Sequence, residues 1–285
     1  MPAAVDHVVF STDSVTIGAF RCAADHPSFR NSGPIQNDCF VFPRTAVVIQ
    51  HENRRAFVAD PTIITLYNSW QQYERRAVSA DGDRCDWFAI SSDLLRAALV
   101  DRDPAASEDE RPMRFPHAPA DAAAYLAQRR LFHDASATSG EAEPLDVEER
   151  VVDLLDCVLS LAYGNRARPT TPPLPRASDL TDAAKHWVAP RVAERLTLTR
   201  IAAALGVSVF HLCRSFRRAT GLTLHAYRDE VRLRMALERL EQGERDLTRL
   251  ALDLGYSSHS HFTAAFRRSF RRPPSDVRKL LIVRG

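Results

Sequence analysis

Apolar positions change their spacing along the chain. Between residues 15 and 91 they fall in short runs rich in β-branched and aromatic residues: "VTIGAFRC", "CFVFPRTAVVIQ", "RAFVADPTIITLYN" and "RCDWFAIS". Turn-forming stretches such as "HPSFRNSGP", "HENR" and "SADGDR" separate them. That spacing predicts strands without intervening helices, hence an antiparallel sandwich or small barrel. From residue 93 the period lengthens. Segments 93–100 and 119–134 are predicted helices, and "PLDVEERVVDLLDCVLSLAYG" sets apolar residues at 147, 151, 154, 155, 158, 159 and 162, one stripe of a helix ending at Gly164. The stripe, which also carries Cys157, suits packing on the sheets or a homodimer contact. The dimer is preferred, because such a face needs a partner.

Four prolines in "NRARPTTPPLPRAS", Asn165 to Ser178, predict an extended linker. Beyond it the pattern is helical over 179–194, 197–205, 208–219, 223–241, 246–254, 258–270 and a short final piece. Thr223 and Asp246 stand at N-cap positions, and Gly206, Gly221, Gly243 and Gly255 where helices should stop. The class is α+β, with a strand-and-helix region over 1–165, a linker over 166–178 and an all-α region over 179–285.

The helical third contains a repeat. Leu198-Thr199-Arg200-Ile201-Ala202 and Gly206 match Leu247-Thr248-Arg249-Leu250-Ala251 and Gly255 at an offset of 49. Leu212, Phe216, Arg217 and Arg218 match Phe262, Phe266, Arg267 and Arg268 at an offset of 50. Each copy predicts a short helix, a glycine turn and a longer helix, the helix-turn-helix arrangement whose second helix enters a DNA major groove. With the apolar residues inward, the outer face keeps Ser208, Val209, Cys213, Arg214 and Arg217 in the first copy. In the second it keeps Ser257, Ser258, Ser260, Thr263, Ala264 and Arg267. Hydroxyls suit phosphates or base edges, and Arg214 suits a bidentate guanine contact. Arg217, Arg218, Arg267 and Arg268 suit phosphates.

Charge supports this division. The chain carries a net charge of +2, yet Ser178 to Gly285 holds twenty Arg and Lys against eleven Asp and Glu, leaving the rest acidic. A polyanion partner for the last third alone follows. The five cysteines are scattered, without a C-x-x-C pair, as in a reducing compartment. Neither a signal peptide nor a membrane span is expected, so the expected location is cytoplasmic. His259 and His261, two apart on a helix, point to different faces. With no metal triad elsewhere, neither metal nor cofactor is expected.

The motifs "LTLTRIAAALGVSVFHLCRSFRRATG", "YRDEVRLRMALERL" and "DLTRLALDLGYSSHSHFTAAFRRSFRRPPSDVR", across residues 178–280, resemble the DNA-binding domain of the AraC/XylS family of bacterial transcription regulators. The resemblance implies a long helix, here 223–241, joining two reading helices set in successive major-groove segments. By position it puts Phe210, Cys213 and Arg214 on the first reading surface, and Ser258, His259, Ser260, Thr263 and Ala264 on the second. It also implies activation of transcription, RNA polymerase as a partner and a sensor or dimerisation domain at the N-terminus. Three residues depart from the family pattern: Ala264 where Arg is frequent, Arg271 where glycine is usual, and Val277 where an aromatic is common.

Residues 1–165 match that family in layout only, as a cupin-like barrel or sandwich with helices. His51-Glu52 falls in a turn, and the His-x-His of a metal-binding cupin is missing. A barrel interior suits a small-molecule effector, with Phe40, Phe42, Tyr67, Trp70 and Trp87 as candidate liners. One rival reading makes the signal covalent, at Cys22, Cys39 or Cys85. Another makes the barrel an enzyme, although no nucleophile motif or phosphate loop is present.

Overall fold

A computed structural model describes residues 5–30, 33–136, 143–164 and 175–281, and the chain divides into two compact units, Met1–Ala167 and Arg168–Gly285. The first unit holds two antiparallel sheets. Strands β1 (Val5–Ser11), β2 (Val15–Cys22), β8 (Asp83–Ile90), β3 (Asp38–Pro43), β6 (Ile63–Tyr67) and β9 (His117–Pro119) form the larger, in that spatial order. In the smaller, β4 (Val47–His51) lies between β5 (Phe57–Ala59) and β7 (Tyr73–Ala77). Three strands escape the sequence pattern. β1, VDHVVFS, is an edge strand with no residue from Asp6 to Ser11 buried, β7 is "YERRA" with only Arg75 fully inward, and β9 is three residues long.

Alternation along each strand decides what its two faces meet. Every residue of β3 is buried, since Cys39 and Val41 join Val47, Ile49, Phe57 and Ala59 of the smaller sheet in one core. Phe40 and Phe42 turn to the opposite face. There Phe40 stacks on Phe88 with centroids 5.2 Å apart, and Phe42 meets Tyr125 of helix α3 (Ala122–Ser136) edge-on. Asp86 pins that helix down: it accepts from Gln128 Nε2 at 2.8 Å and from Arg129, with Arg44 Nη1 at 3.6 Å. Two short helices, α1 (Ser92–Leu99) and α2 (Pro104–Ser107), precede α3.

Helix α4 (Pro144–Gly164) packs on α3 and β9, and Val147, Val151, Leu155 and Val158 are fully buried within the unit. The stripe 147–162 is therefore core, and not the dimer face its sequence suggested. It did need a partner, and α3 and the sheet edge provide one.

In the second unit α5 spans Pro175–Val188. Residues 175–178 are thus a first helical turn, where proline fits well, and not linker; residues 165–174 of the predicted linker lie outside the described residues. Then follow α6 (Leu198–Ala204), α7 (Val209–Thr220), α8 (Leu224–Glu241), α9 (Leu247–Asp253), α10 (His259–Phe270) and α11 (Pro274–Leu281). α8 serves two cores. Leu224, Tyr227 and Val231 pack with Leu180, Ile201, Leu212 and Phe216, while its later turns, with Leu237 and Leu240 fully buried, pack on α10 and α11. Val277, where an aromatic is common, is fully buried as well. Among the described residues no helix is long and apolar enough to cross a membrane.

His51 closes β4 instead of lying in a turn, 1% exposed, with its ring 5.6 Å from Phe57 and 4.7 Å from Tyr67. Among the described residues its Nε2 has no hydrogen-bond partner. Burial, and then His117 and Arg54, lower its pKa to about 4, against about 6.5 in an unfolded chain. Between those values the unfolded chain binds the extra proton. His51 therefore leaves stability intact above about pH 6.5 and removes up to about 3 kcal/mol as pH falls toward 4. Denaturant unfolding across that range should show a shallower loss in His51→Gln than in wild type; parallel curves would contradict this.

Candidate nucleic-acid interface

Each bihelical module is built by the same local chemistry. Ser208 caps α7 by accepting from His211 N at 3.2 Å, and Ser258 caps α10 by accepting from His261 N at 3.1 Å. Gly206 and Gly255, at φ of 66° and 76°, make the tight turns before those caps. Ala202 and Ala251 are buried where the two helices cross, and the pairs Leu212/Phe216 and Phe262/Phe266 seat the longer helix. The 18 residues of α8 span about 27 Å between modules.

The modules also touch directly. Arg232, 5% exposed, donates from Nε to Val192 O at 2.7 Å and lays its guanidinium 5.3 Å from the Tyr256 ring centre. Arg228 Nε donates to the same carbonyl at 2.7 Å. A Cβ on Gly255 would stand 2.2 Å from Ala193 O and 2.5 Å from Arg232 Nη2. The turn of the second module thus rests on the backbone that leads into the first. Nothing in the sequence marked this junction, because its acceptors are main-chain carbonyls.

On the outer faces Ser208, Val209, Phe210 and Arg214 of the first copy are exposed and Cys213 is half-buried. Phe210 is 73% exposed, unusual for an aromatic side chain. In the second copy Ser257, Ser258, His259, Ser260 and Ala264 are exposed and Thr263 is half-buried. His259 Nε2 and Thr263 Oγ1 lie 3.3 Å apart, and His261 Nδ1 and Ser257 Oγ 3.1 Å. The two rings thus engage different partners, and among the described residues no group of three metal-ligating side chains forms.

Two groups of arginines in this unit contrast. Arg200, Arg234 and Arg239 form ion pairs with Glu194, Glu230 and Glu244. Arg214, Arg217, Arg218, Arg267 and Arg268 are exposed, and none forms an ion pair among the described residues. Five exposed cations without an ion pair among the described residues thus sit on α7 and α10.

In the first unit a cavity of about 450 Å³ lies between the sheets. Tyr67 and Trp87 line it, whereas Phe40 and Phe42 point away into the helix-side core and Trp70 sits in a turn, 68% exposed. Those three proposed liners fail because adjacent strand positions face opposite ways and because Trp70 adopts φ 59° outside any strand. The wall contains instead an ion pair that the polar look of β7 concealed. Arg75 Nη1 donates to Asp83 at 2.6 Å and its Nε to Phe29 O at 2.8 Å, with the guanidinium 4.3 Å from the Phe20 centroid. Burial pushes the Cys22, Cys39 and Cys85 thiols up, so the reactive thiolate is scarce at all three.

A model of the helix-turn-helix domain matches residues 201–280. Regulatory protein SoxS of Salmonella typhimurium is 38% identical over 96 residues, which are 34% of this chain and 90% of that protein. The HTH-type transcriptional activator RhaS of Klebsiella pneumoniae is 31% identical over 93 residues, 33% of this chain and 34% of RhaS. A crystal structure of an apo ToxT variant from Vibrio cholerae aligns over 95% of this chain and 98% of that chain, with a TM-score of 0.42 and 10% identity.

Both turn glycines have positive φ, but only at Gly255 would a Cβ collide with backbone; a Cβ on Gly206 meets nothing within 4 Å. Gly206→Ala should cost about 1–2 kcal/mol for the left-handed backbone alone. Gly255→Ala should cost distinctly more, because backbone must also shift. Chemical denaturation of both variants checks this, and equal losses would contradict it.

Proposed function

Since the chain belongs to the AraC/XylS family of DNA-binding transcription regulators, we propose that α7 and α10 lie in two successive major-groove segments of one duplex and that the bound protein activates transcription with RNA polymerase as its partner. The observation that supports this most is the set of exposed arginines without ion pairs on both helices. A duplex supplies the phosphates they lack inside the protein.

Arg214 is the proposed reader of guanine, through both its terminal nitrogens. Val209 and Phe210 suit thymine methyl groups, and Ser208, Cys213, Ser258, His259, Ser260, Thr263 and Ala264 complete the reading faces. Arg217, Arg218, Ser257, Arg267 and Arg268 hold phosphates. The two cap serines keep an O–H to donate while their oxygens hold the helix starts.

A small molecule in the first unit's cavity is the proposed signal. Arg75 is already neutralised by Asp83, and most of the wall is aliphatic and aromatic. That lining favours an uncharged, largely apolar effector.

Footprinting and binding titrations on DNA upstream of neighbouring genes test the reading. Arg214→Ala should lose about 1–3 kcal/mol on the bound site and relax preference at one base pair. Arg267→Ala should weaken all duplexes alike and flatten the salt dependence. An Arg214→Ala protein weakened equally on every sequence would remove the base-reading assignment.

A further inference from the structure

The duplication supplies an internal control for one strained residue. At an offset of 50, Gly221 at the end of α7 corresponds to Arg271 at the end of α10. Both are left-handed C-caps: Gly221 has φ 75° and ψ −9°, Arg271 has φ 59° and ψ 8°, and each donates its backbone N–H back to Arg217 O or Arg267 O at 2.9 Å. Glycine takes this conformation freely, while a residue with a Cβ is strained there. The first copy keeps glycine even though a Cβ at Gly221 would meet nothing within 4 Å.

Among the described residues no side-chain contact of Arg271 offsets that strain. Its side chain is exposed, and among the described residues it has neither a hydrogen bond nor an ion pair. The same is true of Arg272, which stands where the first copy has Leu222. Arg267, Arg268, Arg271 and Arg272 therefore place four exposed cations within six residues at one helix end, with Asp276 the next acidic residue. The opposite exchange occurs nearer the helix start, where Ala264 replaces Arg214. Compared with the first copy, the second has lost a base-reading cation and gained two at its C-terminal end.

We propose that Arg271, with Arg272 beside it, grips the DNA phosphate backbone, and that the left-handed cap is kept despite its strain to aim this charge. The second module then adds sequence-independent grip to whatever bases α10 reads. This rests on α10 lying against DNA as proposed above.

The test uses the full-length protein and two duplexes, one carrying its footprinted site and one unrelated of equal length. Arg271→Gly removes strain and charge together. Arg271→Asn keeps a side chain that tolerates the left-handed region but removes the charge, and Arg271→Lys keeps the charge. The Gly and Asn variants should bind both duplexes roughly fivefold more weakly at 0.15 M salt, with the slope of log K against log salt reduced by about 0.9. The Gly variant's thermal midpoint should hold or rise, and the Lys variant should bind within about twofold of wild type. Wild-type affinity and slope in the Gly and Asn variants would overturn the proposal, and so would a loss confined to the footprinted site. Failure of the wild-type protein to bind any duplex would bring down the placement of α10 first, and this proposal with it.

Discussion

The contact of Gly255 with the Ala193 carbonyl, locked by Arg232, is the constraint on which the second unit depends. Two short bihelical modules joined by a helix alone would be free to bend and twist about it. Here the turn of the second module lies against the main chain that leads into the first, and Arg232 binds Val192 O on one side and the Tyr256 ring on the other. The directions of α7 and α10 are thereby set before any partner arrives. Preorganisation of this kind lowers the ordering cost of binding a rigid, periodic ligand such as a DNA duplex.

Electrostatics then divides labour among side chains of a single type. Arginines facing carboxylates are spent on the fold, as with Arg239, which holds Glu244 and Asp253. Those on the outer faces of α7 and α10 have no such partner among the described residues and carry the positive surplus of the last third outward. In the first unit the same residue type is internalised. Arg75 and Arg129 are buried against Asp83 and Asp86, one in the wall of a cavity and one on the inner face of α3.

The second unit was legible because its signals are local and occur twice. Ala202 with Ala251, Gly206 with Gly255, and two i, i+4 apolar pairs fix the helices, the turns and the inner face without knowledge of the rest of the chain. The first unit was legible as strands but less so in its interior. Phe40 and Phe42 look like the walls of a barrel until the register is known, and a shift of one residue moves them to the other side of the sheet. The stripe on α4 showed that a partner was needed without saying that α3 and β9 provide it. Junctions made on carbonyl oxygens, such as Arg232 with Val192, leave no trace in side-chain pattern. Arg271 was visible as a departure from a glycine, and only its φ of 59° shows the strain it bears.

The central claim is that two fixed helices occupy adjacent major-groove segments on one face of a single duplex. Hydroxyl-radical footprinting of the full-length protein, repeated with five base pairs inserted between the protected patches, tests it most directly. The account predicts two patches about 10 base pairs apart on the same face, and on the inserted duplex loss of one patch with a collapse in affinity. Two patches that persist at full affinity after the insertion would contradict it.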